Sequence, residues 1–174
     1  LGRGTPADME IVERFLRDSF TWALVDPLSC DVSGGLVQRF PELAATLDRW
    51  AADENFWLRR AALLSLLVPL RRGGADSGDW EQFARLAEPM LGEREFFIRK
   101  ALGWVLRDTG KRRPELVAEW LRPRAAQVSR LTLREAIKPL PAAVAAELLA
   151  LAGVPAVGAA VRKPDRRLAP TNGA

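Results

Sequence analysis

The sequence contains neither histidine nor tyrosine, and Cys30 is its only cysteine. Without an imidazole there is no Ser-His-Asp or Cys-His site, and nearly every zinc site is excluded as well. A single thiol cannot form an internal disulfide, which favours a reducing compartment. Any catalysis must therefore rest on carboxylates, lysine, arginine, tryptophan, hydroxyl groups or the backbone.

Long uninterrupted hydrophobic runs are also missing. Residues 1–15 have neither the continuous apolar core nor the cleavage site of a signal peptide. The most apolar stretch, residues 140–161, contains Glu147 and is interrupted by Pro141 and Pro155. A membrane span needs about 20 predominantly apolar residues without such interruptions. We therefore expect buried helices in this stretch and no membrane span.

The composition is that of an ordinary globular chain with a small positive excess. Apolar residues make up 48% and charged residues 28% of the 174 residues, and 26 Lys and Arg face 22 Asp and Glu. The net charge of +4 is compatible with a polyanion partner but does not establish one. We expect one domain over residues 1–160, followed by a basic, flexible tail over residues 161–174.

The hydrophobic pattern predicts helix after helix and no strand. FWLRRAALL, residues 56–64, aligns without a gap with FFIRKALGW, residues 96–104, and LTLREAIKPL, residues 131–140, is a weaker copy. Periods of 35 to 45 residues with two helices each are typical of HEAT-type arrays. We therefore predict an all-α HEAT-like superhelix, an α-solenoid with a concave basic face. Within it we expect one helix over residues 55–70 and a break at Gly34-Gly35.

Trp104 lies on an unexpected side of its predicted helix. The stripe that this helix should bury consists of Ile98, Ala101, Leu102, Val105 and Leu106. At about 100° per residue, Trp104 points well away from that stripe. Its neighbours on the polar side are Lys100 and Arg107. A large apolar side chain among cations is unusual for a residue that only fills a core.

The repeat also aligns basic residues. Arg60 and Lys100 occupy equivalent positions, with Arg59 and Arg99 beside them. Each one taken singly is explained by a solvated helix face, but equivalent positions of successive repeats share one face of an array. A row of cations there matches a phosphate backbone. The segment GKRRPE, with Lys111, Arg112 and Arg113, is either a solvated helix junction or a phosphate clamp.

Trp22 and Asp26 stand at i and i+4, one above the other on a helix. This spacing alone is weak, because a core tryptophan beside a surface acid that precedes Pro27 gives the same pattern. We expect the remaining tryptophans to be core residues; they are Trp50, Trp57, Trp80 and Trp120.

Three segments together resemble the AlkD family of alkylpurine DNA glycosylases, which are HEAT-like helical solenoids. These are TWALVD (21–26), DENFWLRRAALLSLL (53–67) and EREFFIRKALGWVLRDTGKRRPELVAEWL (93–121), and SRLTLREAIKPL (129–140) fits as well. The resemblance implies hydrolysis of the N-glycosidic bond of cationic N3- or N7-alkylated purines in duplex DNA, which is base-excision repair of alkylation damage. It implies no metal, no cofactor and no flipping of the base into a pocket.

The resemblance also implies site residues. Trp22, Asp26 and Trp104 fall on the family's catalytic positions, and Arg60 falls on its active-site arginine. The full set of expected DNA contacts is Arg60, Lys100, Arg107, Arg59, Arg99, Lys111, Arg112 and Arg113. The partner would be duplex DNA with alkylated purines, bound by a monomer in the cytoplasm of a prokaryote-like cell.

Two departures from the family keep a different reading open. Ala23 stands where the family often has an acid, and the family's amino-terminal helices are expected to be short or missing before Leu1. The alternative is a non-catalytic HEAT-repeat module that binds branched or damaged DNA, or a scaffold for protein interaction.

Overall fold

A computed structural model describes residues 4–74 and 77–155, and every regular element in those two ranges is helical. The all-α class is thus confirmed. The α-helices are α1 (Asp8–Arg17), α2 (Trp22–Pro27), α3 (Gly34–Arg39), α4 (Ala44–Ala51), α5 (Phe56–Leu64), α6 (Leu67–Arg72), α7 (Asp79–Ala87), α8 (Phe96–Gly110), α9 (Pro114–Leu121), α10 (Arg130–Ala136) and α11 (Ala142–Leu151). Short 3-10 turns extend several of them, and the predicted tail over residues 161–174 lies outside the described residues.

Helices stack in chain order. Helix α2 packs on α5, α5 on α8, and α8 on α10, while α4 packs on α5 and α7, and α9 on α8 and α11. Such neighbour-to-neighbour contact is what a solenoid of helix pairs requires. The structure is consistent with the predicted α-solenoid, whereas superhelical curvature and a concave basic face stay predictions.

The four helices α2, α5, α8 and α10 each begin at a side-chain cap. Thr21, Asn55, Glu95 and Ser129 accept a hydrogen bond from a backbone N–H in the first turn of the helix that follows. A cap of this kind stabilises a helix by about 1 kcal/mol and sets the residue at which it begins. The caps therefore fix the starting register of the helices that carry the predicted site.

The predicted break at Gly34-Gly35 is wrong. The chain continues from α2 through a π-helical stretch, Leu28–Ser33, directly into α3, and Gly34 has an ordinary helical φ of −60°. A Cβ on Gly34 would lie 2.9 Å from the carbonyl oxygen of Ser65. The glycine therefore serves close approach to the neighbouring repeat and does not end a helix.

The single helix predicted over residues 55–70 is divided in two. Helix α5 ends at Leu64 and α6 begins at Leu67. Pro69 has no N–H to donate to the carbonyl of Ser65, and its ring would crowd that carbonyl in a continuous helix. The break before the proline relieves this conflict.

The core contains the four tryptophans predicted to lie there. Trp50 is completely buried, and Trp57, Trp80 and Trp120 are buried as well. Cys30 is half-buried and packs against the same core. Within the described residues, no helix has the length and apolar character needed to cross a membrane. Residues 156–161 of the most apolar stretch lie outside the described ranges.

Candidate active site

One cleft brings together all four residues that the family resemblance places in the active site. Its volume is about 350 Å³. The residues that line it are Trp22, Asp26, Arg60, Phe96, Phe97, Lys100, Trp104, Arg107 and Glu135. They come from α2, α5, α8 and α10, so the cleft runs across four helices that stack in succession.

Asp26 and Arg60 form a bidentate ion pair at the floor of this cleft. Arg60 donates from Nε and from Nη2 to the two carboxylate oxygens of Asp26, both at 2.8 Å. Its Nη1 donates to the backbone carbonyl of Phe97 at 2.6 Å. Only 5% of the Arg60 side chain and 15% of the Asp26 side chain are exposed. The guanidinium therefore locks the carboxylate in one orientation and ties three helices together.

The contact of Arg60 with a DNA phosphate stays a prediction, but the structure limits how it could occur. Three of the five guanidinium N–H groups are already used within the protein. Because the side chain is almost wholly buried, a phosphate would have to enter the cleft to reach the others.

The two tryptophans of the cleft differ in exposure. Trp22, at the first turn of α2, is 54% exposed and stands one turn before Asp26. Trp104 is half-buried, lines the cleft and packs partly against the core. The five residues of the predicted buried stripe of α8 are all buried. Trp104 thus leaves that stripe because its position on α8 faces the cleft, as its helical angle predicts.

Glu135 lines the cleft and was missed by the sequence reasoning. Its carboxylate pairs with Arg107 and, at 2.6 Å, with Lys138. A hydrogen bond from Lys138 is the chief cause that lowers the pKa of Glu135; burial opposes it, and the nearby charges of Arg107 and Lys100 assist. A signal existed, because the third repeat copy aligns Glu135 with Arg60 and Lys100.

A glycine allows α8 and α10 to meet at this point. A Cβ on Gly103 would lie 2.7 Å from the Cβ of Glu135, closer than two carbons can approach. Gly103 directly precedes Trp104 in α8. The glycine therefore brings the Glu135 backbone against α8 and places its carboxylate within reach of Arg107.

Two phenylalanines of the cleft were also missed. Phe96 is 49% exposed, and its ring meets that of Phe97 edge to face with centroids 5.3 Å apart. Phe97 in turn lies under the Arg60 guanidinium, 5.8 Å from its centre. Their repeat equivalents, Phe56 and Trp57, pack against the core, as Phe97 also does in part. The repeat alignment therefore gave no sign that Phe96 and Phe97 would also line a cleft.

The remaining predicted DNA contacts lie outside the cleft. Arg59 donates to the carbonyls of Asp53 and Glu54, both at 2.8 Å, and pairs with Glu93 at 3.2 Å. The backbone carbonyl of Arg99 accepts a hydrogen bond from Thr132. Lys111 and Arg112 are exposed just beyond α8, and Arg113 is half-buried there. Contacts of these residues with DNA stay predictions.

The protein is a stack of helices, and one cleft in it contains two tryptophans, a carboxylate and an arginine. These features point to the class of helical DNA repair proteins that the sequence resembles. The model of a family described as DNA alkylation repair enzyme matches residues 2–140. The chain belongs to this DNA alkylation repair family.

A solved structure supports the same relationship. The chain is similar to a predicted DNA alkylation repair enzyme from Enterococcus faecalis, with 26% identity, a TM-score of 0.69 and 80% of this chain covered. The chain spans 62% of the length of that structure. A comparison with curated proteins gives no match.

Proposed function

We propose that the protein is a DNA glycosylase that hydrolyses the N-glycosidic bond of cationic N3- or N7-alkylated purines in duplex DNA. The observation that carries the proposal is the cleft itself, in which Trp22, Asp26 and Trp104 meet beside Arg60. The partner is duplex DNA containing the alkylated purine, bound by a monomer in the cytoplasm, where chromosomal DNA lies in a cell without a nucleus.

The lesion's own charge makes the chemistry accessible to these side chains. An alkylated purine is cationic, and its departure leaves an oxocarbenium-like sugar and a neutral base. No general acid is needed for such a leaving group, so the lack of histidine is no obstacle. No metal or cofactor enters the proposal. A water molecule supplies the hydroxyl group that C1′ gains, and its proton passes to solvent.

The indole rings and the carboxylate stabilise the developing sugar cation. The faces of Trp22 and Trp104 each attract a cation by about 0.5–2 kcal/mol. An isolated carboxylate about 4 Å away contributes on the order of 4 kcal/mol at an effective dielectric constant near 20, or about three powers of ten in rate. The Arg60 charge reduces this attraction, so the contribution of Asp26 lies below that figure.

Asp26 has a second task to which its pairing with Arg60 is suited. Each carboxylate oxygen has two lone-pair directions, and Arg60 takes one on each. The remaining directions can orient, or accept the proton of, the attacking water. Because Arg60 fixes the carboxylate, this orientation is set before the substrate binds, which favours the transition state.

The base stays in the duplex during the reaction and is not flipped into a pocket. The cleft is about 350 Å³ in volume, and Trp22 at its edge is 54% exposed. Ligand pockets that enclose a small molecule span about 300–1,000 Å³ and bury most of its surface. The volume lies within that range, but a cleft lined by a tryptophan as exposed as Trp22 does not bury most of a ligand's surface. It suits contact with the sugar and the edge of the base in the duplex.

A second candidate is a DNA-binding module without glycosylase activity. The observation that favours it is the bidentate pair, because Arg60 neutralises the carboxylate that catalysis requires. Ala23, exposed beside Trp22, supplies no second acid. The two candidates make the same prediction for DNA binding and opposite predictions for base release.

Release of free base from a duplex containing 7-methylguanine separates the two candidates. Under single-turnover conditions the wild type should release 7-methylguanine, and Asp26→Asn should slow release by about two powers of ten. A matched duplex with uracil, a neutral base and a poor leaving group, should release nothing. Equal rates for wild type and variant would remove Asp26 from the mechanism, and no release by the wild type would favour the binding module.

A further inference from the structure

A second group of charged residues lies beyond the cleft, where α6 and α8 end. Arg71 donates from Nε and Nη2 to the two carboxylate oxygens of Asp108, at 2.7 and 3.1 Å. Arg112 approaches the same carboxylate at 3.6 Å. Lys111 lies near enough for its charge to act on Asp108. None of these four residues lines the cleft.

This group repeats the arrangement found around Glu135. Each has one nearly buried carboxylate, with side-chain exposures of 10% for Asp108 and 11% for Glu135. Arg107, Lys138 and Lys100 surround Glu135. Around Glu135, three cations and one carboxylate leave a net charge of +2. Asp31 also lies near Arg71, so the group around Asp108 has three cations and two carboxylates and a net charge of +1. A structural ion pair needs one cation for each carboxylate, so the surplus is available to an anion.

The Asp108 carboxylate is held as an anion. Burial raises the pKa of Asp108, but the hydrogen bond from Arg71 and the charges of Arg71, Arg112 and Lys111 outweigh it, so the pKa is lowered. An ionised carboxylate gives Arg71 a fixed geometry, whereas 38% of the Arg71 side chain and 53% of the Arg112 side chain stay exposed. The cations are therefore both oriented and accessible.

The two groups are adjacent along α8. Arg107 belongs to the cleft and Asp108, the next residue, to the second group. From Lys100 to Lys111 the helical rise of about 1.5 Å per residue gives roughly 16 Å. One strand of duplex DNA carries a phosphate about every 3.4 Å along the axis. The stretch from Lys100 to Lys111 thus spans about four or five base-pair steps of a duplex that lies along α8.

We propose that Arg71, Lys111 and Arg112, arranged around Asp108, form a second phosphate subsite for the DNA backbone, a few nucleotides from the nucleotide in the cleft. The subsite makes Arg71 a DNA contact that is positioned by Asp108. It rests on the proposed function only in that duplex DNA is the ligand. It fixes the direction in which the duplex leaves the cleft, because the phosphates must follow α8 toward its carboxyl end.

The salt dependence of binding to an unmodified duplex tests the subsite. Arg71→Gln should lower the magnitude of the slope of log K against log salt concentration by about 0.9 and weaken binding roughly fivefold to tenfold at 0.1 M salt. The matched control is Arg85→Gln, since Arg85 is an exposed arginine of α7 that pairs with Asp48 at 2.9 Å, away from both groups. Equal slopes and affinities for the two variants would overturn the proposal.

Two further measurements locate the contact and guard against misfolding. Neutral methylphosphonate linkages, placed one at a time along one strand, should weaken wild-type binding at two separated positions, and Arg71→Gln should lose sensitivity at one of them. Unchanged sensitivity at every position would contradict the subsite. If Arg71→Gln unfolds, Arg112→Gln replaces it, because Arg112 is more exposed and lies farther from Asp108.

The outcome is independent of whether the protein cleaves DNA bases. A reduced salt slope for Arg71→Gln in a protein that releases no 7-methylguanine would support the subsite and reject the glycosylase. Normal base release with an unchanged slope for both Arg71→Gln and Arg112→Gln would support the glycosylase and reject the subsite.

Discussion

Arg60 in α5 donates to both carboxylate oxygens of Asp26 in α2, although 34 residues separate the two in the chain. This pair connects the two helices within the cleft, where both side chains are largely buried. It also assigns Arg60 a task that a phosphate contact alone would not require, which is to hold the carboxylate in a fixed orientation.

Arg60→Lys should separate positioning from charge. Lysine keeps the positive charge but lacks the planar fork that bridges two carboxylate oxygens. We expect base release from 7-methylguanine duplex to slow by about tenfold or more, with duplex affinity nearly unchanged. Single-turnover rates and equilibrium titration measure the two effects. Arg85→Lys is the control, because Arg85 pairs with Asp48 outside the cleft. A variant that loses affinity but retains the rate would identify Arg60 as a phosphate contact only.

Trp104→Ala should lower base release while costing little stability. The ring is half-buried and faces the cleft, so its removal opens a space that already meets solvent. Trp50→Ala is the matched comparison, because Trp50 is completely buried and should cost about 3–5 kcal/mol. Urea denaturation of both variants decides the point. Equal losses of unfolding free energy would make Trp104 a core residue.

Protonation of Glu13 should cause most of the decrease in the free energy of unfolding at acidic pH. Arg49 donates to its two carboxylate oxygens at 2.7 and 2.8 Å, Trp50 donates from its indole N–H at 2.8 Å, and Arg17 pairs with it at 2.8 Å. The hydrogen bond from Arg49 is the chief cause that lowers the pKa of Glu13 from its usual 4.5 to about 2, against the opposing effect of burial.

The sign of the pH effect follows from a pKa that is lower in the folded state. The stabilisation by Glu13 is fully present above pH 4.5 and is lost as the pH falls toward 2. We expect Glu13→Gln to reduce the free energy of unfolding at pH 7 by on the order of 2 kcal/mol, after allowance for solvent screening. In the same variant, the free energy of unfolding should fall less steeply below pH 4.5. Glu10→Gln, on the exposed side of α1, should leave the pH dependence unchanged.

Cys30 should react slowly with alkylating reagents in the folded protein. Burial raises the pKa of its thiol to about 12, and the negative charges of Asp26 and Asp31 assist. Since the thiolate is the reactive form, alkylation by iodoacetamide at pH 8 should be about a thousandfold slower than in the urea-unfolded chain. Mass spectrometry follows the modification. A folded rate within tenfold of the unfolded one would contradict the raised pKa.

Much of the fold follows from local sequence. The 3.6-residue period of α8 placed its buried stripe correctly and turned Trp104 away from it. The forty-residue offset between the copies at Phe56 and Phe96 predicted the stacking of α5 on α8. Such features can be predicted because the helical period and the repeat spacing are both visible in the order of residues along the chain.

The two errors in helix boundaries arise from contacts between repeats and from a single proline. Gly34 resembles a helix breaker by propensity, yet tertiary packing against Ser65 requires a residue without a side chain inside a continuous helical run. Pro69 interrupts a pattern whose hydrophobic periodicity is otherwise continuous. In both cases the hydrophobic period does not show which backbone carbonyl lies next to the glycine or the proline.

The site divides in the same way. The order of the residues already shows that catalysis cannot use histidine, that Trp22 and Asp26 share a helix face, and that cations recur at the position of Arg60. The packing of the helices shows in addition that this arginine pairs with Asp26 and that Glu135 enters the cleft beside Arg107. Neither pair could be predicted, because an ion pair depends on a few ångströms between atoms of different helices. That distance is set by how the helices pack, and Gly103 and the carbonyl of Phe97 set it here.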